Sequence, residues 1–375
     1  NIPFHHVYIH AIVRDKQGRK MSKSLGNGID PLEVIEQYGA DALRYTLAAG
    51  SGYNRDLNLD PAVIESNRNF INKIWNAFRF IYPYLENAPD QLPTSDELSH
   101  QEKWILSELN TVVKNVNVSM EQYRFDDSCS EIYSFVYDKF CSWFIELSKN
   151  ILNNGEKNIQ LNRTAVLKYA FRELIKILHP FAPFITEELW THLKNENEEL
   201  LIISEFPEYK ENLNFNTDQL EMNYFIQLIS GSRNLRSSVG LSPKEKIELK
   251  IFTDKSDVQA YFENQESFII KMANAKNMTI QNLSKSRPKK SLVLATENFE
   301  LFIPVSGVID LKQQIDRLKK DLIKTQKELD KVNKKLGNPK FLSSAPESIV
   351  KGVMLDQEDL ARKSEALQKS ISQFS

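Results

Sequence analysis

Lys20-Met21-Ser22-Lys23-Ser24 puts two ammonium groups on one short loop, followed by Leu25-Gly26-Asn27 and a helix opening at Asp30-Pro31-Leu32-Glu33. Lysine carries a compact charge with rotatable donors, which suits a phosphate that moves during a reaction. Two such groups closing over a triphosphate would neutralise charge as pyrophosphate leaves. A lysine-rich pentapeptide can also be a plain solvated turn, but the surroundings argue for more. A strand-like run from Val7 to Val13 leads in, and the turn Asp15-Lys16-Gln17-Gly18 separates it from the loop. Asp30 is a good N-cap, Pro31 fits the first helical position, and Glu33 can answer the cap. Strand, loop and helix in that order build nucleotide sites on α/β sheets.

These residues, KMSKS followed by GN and DP, resemble the second signature of class I aminoacyl-tRNA synthetases. The resemblance implies an ATP-binding loop of Lys20, Met21, Ser22, Lys23 and Ser24, with Mg²⁺ on the phosphates. It implies catalysis by Lys23, on the departing phosphates, with Lys20 assisting as an amino-acid carboxylate attacks the α-phosphate. Ser22 and Ser24 would orient the loop and Gly26 would let it flex. Gly28 departs from the family, which commonly has an aliphatic residue there. The first signature of the family is absent, and the chain opens on Asn1 close to the loop. A carboxy-terminal part of such an enzyme is therefore expected, inactive alone, without the amino-acid pocket or an editing domain. His5, His6 and His10 read as parts of an extended strand rather than as a replacement site.

At 375 residues, two or three folding units are expected. The net charge of −2 says nothing global about nucleic acid, so any RNA reading rests on how charge is distributed. Cys129 and Cys141 form no CxxC pair, which favours buried free thiols and no metal site. Neither a membrane-spanning run nor a signal peptide is visible, so a soluble, cytoplasmic monomer with no membrane partner is expected.

The fold class reads as mainly α. Residues 1–60 would be the end of a Rossmann-like α/β catalytic domain, with two short helices split at Tyr38-Gly39 and a polar connection from Asn54 to Pro61. Residues 61–200 would be a helical bundle. In its first helix Ile71, Ile74, Trp75, Phe78, Ile81 and Leu85 form the apolar stripe, while Arg68 and Arg79 lie opposite, free to meet RNA. Trp104, Ile105, Leu109, Val112 and Val116 mark the next helix, and further helices run from Ile132 to Ile151, from Arg163 to Leu178 and after Pro183. His179 reads as a satisfied core histidine. The turn from His179 to Trp190 resembles the close of the class I anticodon-binding bundle. Residues 201–305 would be a small α/β extension. It starts with an extended exit at 202–207, then a helix from Asp218 to Ser237 carrying Arg233 and Arg236 as tRNA contacts. A strand near Ile247–Phe252, a helix near Ser256–Met272 and strands near 278–280, 291–295 and 300–304 complete it.

Residues 306–375 contain two apolar stripes, Leu311 to Leu336 and Val350 to Phe374, around a break at Gly337-Asn338-Pro339. They describe an antiparallel coiled-coil hairpin, neither arm of which would be stable alone in water. Residues 312–340 hold ten basic and four acidic residues, net +6, whereas 347–375 hold four and five, net −1. Such imbalance favours a phosphate backbone as partner, with Lys319, Lys320, Lys327 and Lys334 among the contacts. The hairpin resembles the tRNA-binding arm of valyl-tRNA synthetases, which implies tRNA(Val), ATP and valine as the partners of the intact ligase. A non-catalytic RNA-binding module, an isoleucyl-type synthetase and a coiled-coil scaffold are the other readings.

Overall fold

The computed structural model describes residues 3–52, 56–305 and 311–337, with scattered residues beyond; of 311–318 and 321 only the backbone is described. The chain folds as two units, Asn1–Leu220 and Glu221–Ser375.

The first unit begins with β1 (Val13–Asp15) and β2 (Leu57–Leu59), paired in parallel with Asp15 opposite Leu59. The strand expected from Val7 to Val13 is thus confined to its end. Val7 is 81% and Ile9 88% exposed, and a strand forms only where a neighbour accepts its backbone groups. β2 lies in the stretch expected to be a polar connection; residues 53–55 of that stretch are outside the described residues. Between the strands come α1 (Pro31–Tyr38) and α2 (Ala40–Gly50), split as expected at Gly39, whose φ of 91° a side chain would resist. Val34, Ala42, Leu43, Leu59 and Ile64 form the core here, with Val13, Met21, Ile29 and Tyr38 packed against it.

The bundle follows in α3 (Pro61–Leu85), α4 (His100–Glu121), α5 (Phe125–Ser134), α6 (Ile145–Asn154), α7 (Lys157–Leu178) and α8 (Pro183–Thr191). A π-helical stretch, Phe135–Phe144, joins α5 to α6 without a break. Asp60 caps α3 through the Ala62 N–H at 2.9 Å. Cys129 and Cys141 are buried free thiols, and burial pushes the Cys141 thiol up to about 11.

Glu102 does two jobs at the head of α4. Its Oε2 accepts from the Ser99 N–H at 2.8 Å, and its Oε1 accepts from Arg163 Nε at 2.8 Å. Arg163 is 0% exposed; it also donates to Ser148 Oγ at 3.1 Å and Gln101 Oε1 at 3.1 Å, and lies 4.8 Å over the Phe144 ring. A buried guanidinium is tolerable only with its donors filled in this way.

Most of α9 (Asn216–Ser238) belongs to the second unit, where it leads to a four-stranded sheet ordered β4-β3-β6-β5. The strands are β3 (Ile247–Phe252), β4 (Ala275–Gln281), β5 (Ser291–Ala295) and β6 (Glu300–Pro304). β3 and β4 are parallel, the other pairs antiparallel. The crossover between β3 and β4 is two helices, α10 (Ser256–Asn264) and α11 (Glu266–Ala273), where one was expected. Similarly, the exit expected to be extended opens with a 3₁₀ turn, Leu201–Ile203. The last element with described bounds is α12 (Leu311–Leu336), and described residues beyond it, such as Val353 and Met354, are also helical. The expected hairpin tip and most of the return stripe lie outside the described residues; Gln357 donates to Asn333 Oδ1 of α12 at 2.6 Å.

Replacing Arg163 by Met should destabilise the protein by about 3–5 kcal/mol, because Glu102 is left buried and uncompensated. Adding Glu102→Leu should recover part of the loss, read as the midpoint of urea unfolding.

Candidate functional site

Asp15, at the end of β1 and only 6% exposed, organises the lysine loop. Its Oδ1 accepts from the backbone N–H groups of Gln17 at 3.0 Å and Arg19 at 2.8 Å, closing the turn before the loop. Its Oδ2 accepts from Arg19 Nε at 2.7 Å and Asn27 Nδ2 at 3.0 Å. The Asn27 amide first, and then the donors of Arg19 and Gln17, hold this carboxyl far below the usual carboxylate range against the opposing effect of burial. Asn27 passes the restraint on. Its Oδ1 accepts from the Ser22 N–H at 3.0 Å and its Nδ2 also reaches Lys20 O at 3.3 Å, so one side chain ties the first half of the loop to β1.

Within the loop, Lys23–Leu25 is a 3₁₀ turn. Ser22 Oγ accepts from the Leu25 N–H at 3.3 Å and lies 3.2 Å from Ser24 Oγ, while Gly26 closes the turn at φ 59°. Met21 turns inward onto the apolar core, whereas Lys20, Lys23 and Ser24 are exposed. Backbone restraint and an apolar anchor thus hold the loop while both ammonium groups stay exposed. After the loop, Asp30 caps α1 through the Leu32 N–H at 2.8 Å. The reciprocal bond expected from Glu33 is not among the bonds of the described residues. Sequence reasoning missed the roles of Asp15 and Asn27; the GN pair beside the loop was the available signal.

A second carboxylate joins this module to the bundle. Asp41 of α2 accepts from the N–H groups of Phe184 at 3.2 Å and Ile185 at 2.7 Å, at the start of α8, while Arg44 donates to Pro180 O at 3.1 Å. Burial raises the Asp41 pKa. His179, expected to be a satisfied core histidine, is only half satisfied: Nδ1 lies 2.8 Å from Thr186 Oγ1, but among the described residues buried Nε2 has no partner. Burial lowers its pKa from the ordinary 6.5, against the pull of Glu187 and Asp41.

The expected RNA contacts are placed unevenly. Arg68 and Arg79 are exposed on α3, Arg233 is exposed on α9, and Lys319, Lys320, Lys327 and Lys334 are exposed on α12. Lys320, Lys327 and Lys334 recur every seven residues and share one face of their helix. Arg236 departs from the expectation. It is 6% exposed, and its guanidinium donates to Ala273 O at 2.9 Å, Ser242 O at 2.7 Å and Glu245 O at 2.5 Å. These bonds hold a loop, and the side chain is not spread on the surface for a phosphate backbone.

Residues 1–60 match the family described as tRNA synthetases class I (I, L, M and V). Residues 102–251 match the anticodon-binding domain of tRNA ligase, and residues 310–375 the valyl tRNA synthetase tRNA binding arm. Similar curated proteins are the valine–tRNA ligases of Enterococcus faecalis, 35% identical over 373 residues, Bacillus cereus, 37% over 371, and Listeria monocytogenes, 38% over 369. Each alignment takes in 98% or 99% of this chain, which spans 42% of the length of these relatives.

Asn27→Ala should release the loop without unfolding its unit, so tryptic cleavage after Lys20 and Lys23 should accelerate several-fold with an unchanged melting temperature. His179 has a second consequence. The unfolded chain takes up its proton first, so stability present above 6.5 is lost as pH falls through that value. His179→Gln should flatten the loss of stability between about pH 7 and pH 5, measured by urea unfolding.

Proposed function

We propose that this chain, which belongs to the valyl-tRNA ligase family, supplies the intact enzyme with its lysine loop for valine activation and with the domains that grip tRNA(Val). The observation that carries this reading is the loop itself: Asp15 and Asn27 fix its backbone while Lys20 and Lys23 stay exposed.

In the intact ligase the carboxylate of valine attacks the α-phosphate of ATP, forming the acyl phosphate bond as the bond to pyrophosphate breaks. Lys23 meets the departing phosphates and Lys20 assists, each stabilising charge that grows as the leaving group separates. Ser22 and Ser24 hold the loop's turn, and Met21 fastens it to the core. Two exposed ammonium groups fit a polyphosphate, and Mg²⁺ bound with the nucleotide would supply further charge neutralisation there. The aminoacyl group then passes to the tRNA 3′ end.

Residues 1–60 serve as the end of the catalytic domain, 61–200 as the anticodon-binding bundle, 201–305 as a connecting α/β region, and 306–375 as a coiled-coil arm. The arm meets tRNA through Lys319, Lys320, Lys327 and Lys334, with Arg68, Arg79 and Arg233 as further contacts. The reading is of a cytoplasmic, monomeric enzyme. Among the described residues no helix is long and apolar enough to cross a membrane.

In the complete protein, Lys23→Ala should lower valine-dependent pyrophosphate exchange by about 10²-fold or more while leaving tRNA affinity intact. A wild-type exchange rate would remove Lys23 from the reaction. Replacing Lys319, Lys320, Lys327 and Lys334 together by Gln should reduce the salt slope of tRNA binding by roughly three to four. An unchanged slope would take the arm out of the interface.

A further inference from the structure

Asn-Gly occurs twice in this chain, at Asn27-Gly28 and at Asn154-Gly155. Glycine leaves the backbone nitrogen that follows the asparagine unscreened and free to rotate, so that nitrogen can attack the side-chain carbonyl carbon. The two copies are held differently. Asn154 ends α6, and the Gly155 N–H donates to Ile151 O at 2.8 Å. Asn27 lies between the 3₁₀ turn and α1, Gly28 is exposed, and among the described residues the Gly28 N–H makes no hydrogen bond. A Cβ added at Gly28 would meet nothing within 4 Å, and its φ is not positive, so the backbone does not demand glycine there.

What guards Asn27 is the bonding of its own side chain. Nδ2 donates to Asp15 Oδ2 at 3.0 Å and to Lys20 O at 3.3 Å, and Oδ1 accepts from the Ser22 N–H at 3.0 Å. Ring closure onto Gly28 must break these bonds, so the reaction runs from an opened state of the loop. A loop that closes over a phosphate and then releases it visits such a state as it works.

We infer that Asn27-Gly28 is a spontaneous deamidation site that limits the working life of the lysine loop. The Gly28 nitrogen loses its proton and bonds to Asn27 Cγ, the Cγ–Nδ2 bond breaks, and ammonia leaves a succinimide behind. Water then opens the ring to aspartate or isoaspartate at position 27, and no other reactant is needed. The product undoes the restraint. An ionised carboxylate has no donor, so both Nδ2 bonds are lost, and the new charge faces Asp15 Oδ2 across the former 3.0 Å bond. Isoaspartate also lengthens the backbone by one carbon just before α1. The chemical step stands on the residues of the loop alone, whereas its effect on activation rests on the function proposed above.

The test ages the full 375-residue chain at neutral and at mildly alkaline pH. Converted asparagine is read by peptide mass mapping and by methylation with an isoaspartate methyltransferase. Asn27 should convert several-fold faster than Asn154, and faster at the higher pH, because the attacking species is the deprotonated nitrogen. Gly28→Val, which leaves Asn27 in place and screens that nitrogen, should slow conversion at Asn27 about tenfold or more with an unchanged melting temperature. An intact Asn27 beside a converted Asn154, or equal conversion in the Gly28→Val chain, overturns the inference. In the complete protein, valine-dependent pyrophosphate exchange should fall in step with the fraction converted at Asn27, while the Gly28→Val protein keeps its rate over the same ageing. A fresh rate from fully converted protein overturns the limit on working life and leaves the phosphate role of the loop standing. Fresh complete protein without exchange overturns that role, and the mass map still decides the deamidation.

Discussion

The lysine loop depends on one buried carboxylate. Asp15 sits where β1 pairs with β2, so the ladder to Leu59 decides where its two oxygens point. Those oxygens collect N–H groups from Gln17, Arg19 and Asn27, and Asn27 hands the restraint to Ser22. A catalytic cation must be held in place without spending its own charge on the holding. Here the task falls to a neutral amide and a carboxylate, leaving the two lysines exposed. The short pairing of two three-residue strands thus sets the position of the loop.

The same division of labour recurs elsewhere in the chain. Charges taken out of water need partners, and here the partners are largely backbone groups or helix ends. Asp41 receives the first N–H groups of α8 and so ties the loop module to the bundle. Glu102 heads α4 with one oxygen and satisfies Arg163 with the other. Arg236 closes on three carbonyls. Among the described residues, the exposed Arg68 and Arg79 of α3 and Lys319, Lys320, Lys327 and Lys334 of α12 carry no such structural duty, which suits an electrostatic contact with a phosphate backbone.

Much of this was legible in the residues because local patterns coincide with the tertiary demand. β3, β5 and β6 fall within the predicted bounds, since alternating apolar residues between turn formers leave little freedom. The phase of α3 was less legible: Ile64, Phe70 and Ala77 are buried, while Ile71 and Trp75 are only half-buried, because the apolar residues span more than one face of the helix. Propensity has no access to a three-residue strand such as β2, whose existence depends on β1 lying beside it. Arg236 was misread for a related reason. An arginine pair at a helix end looks the same whether its forks meet phosphate or carbonyls, and only the returning loop decides.

The π-helical stretch between α5 and α6 has a bearing on how the bundle tolerates change in length. Residues five apart fall on different sides of an α-helix, yet Phe135 and Phe140 stack at 6.1 Å, and Phe140 reaches Phe171 of α7 at 6.0 Å. The wider winding there stores one surplus residue within an otherwise continuous rod. Deleting a single residue inside 135–144 should tighten the local pitch and keep the flanking turns in register. The same deletion in α4 or α7 would rotate every downstream side chain by about 100° and dismantle the core.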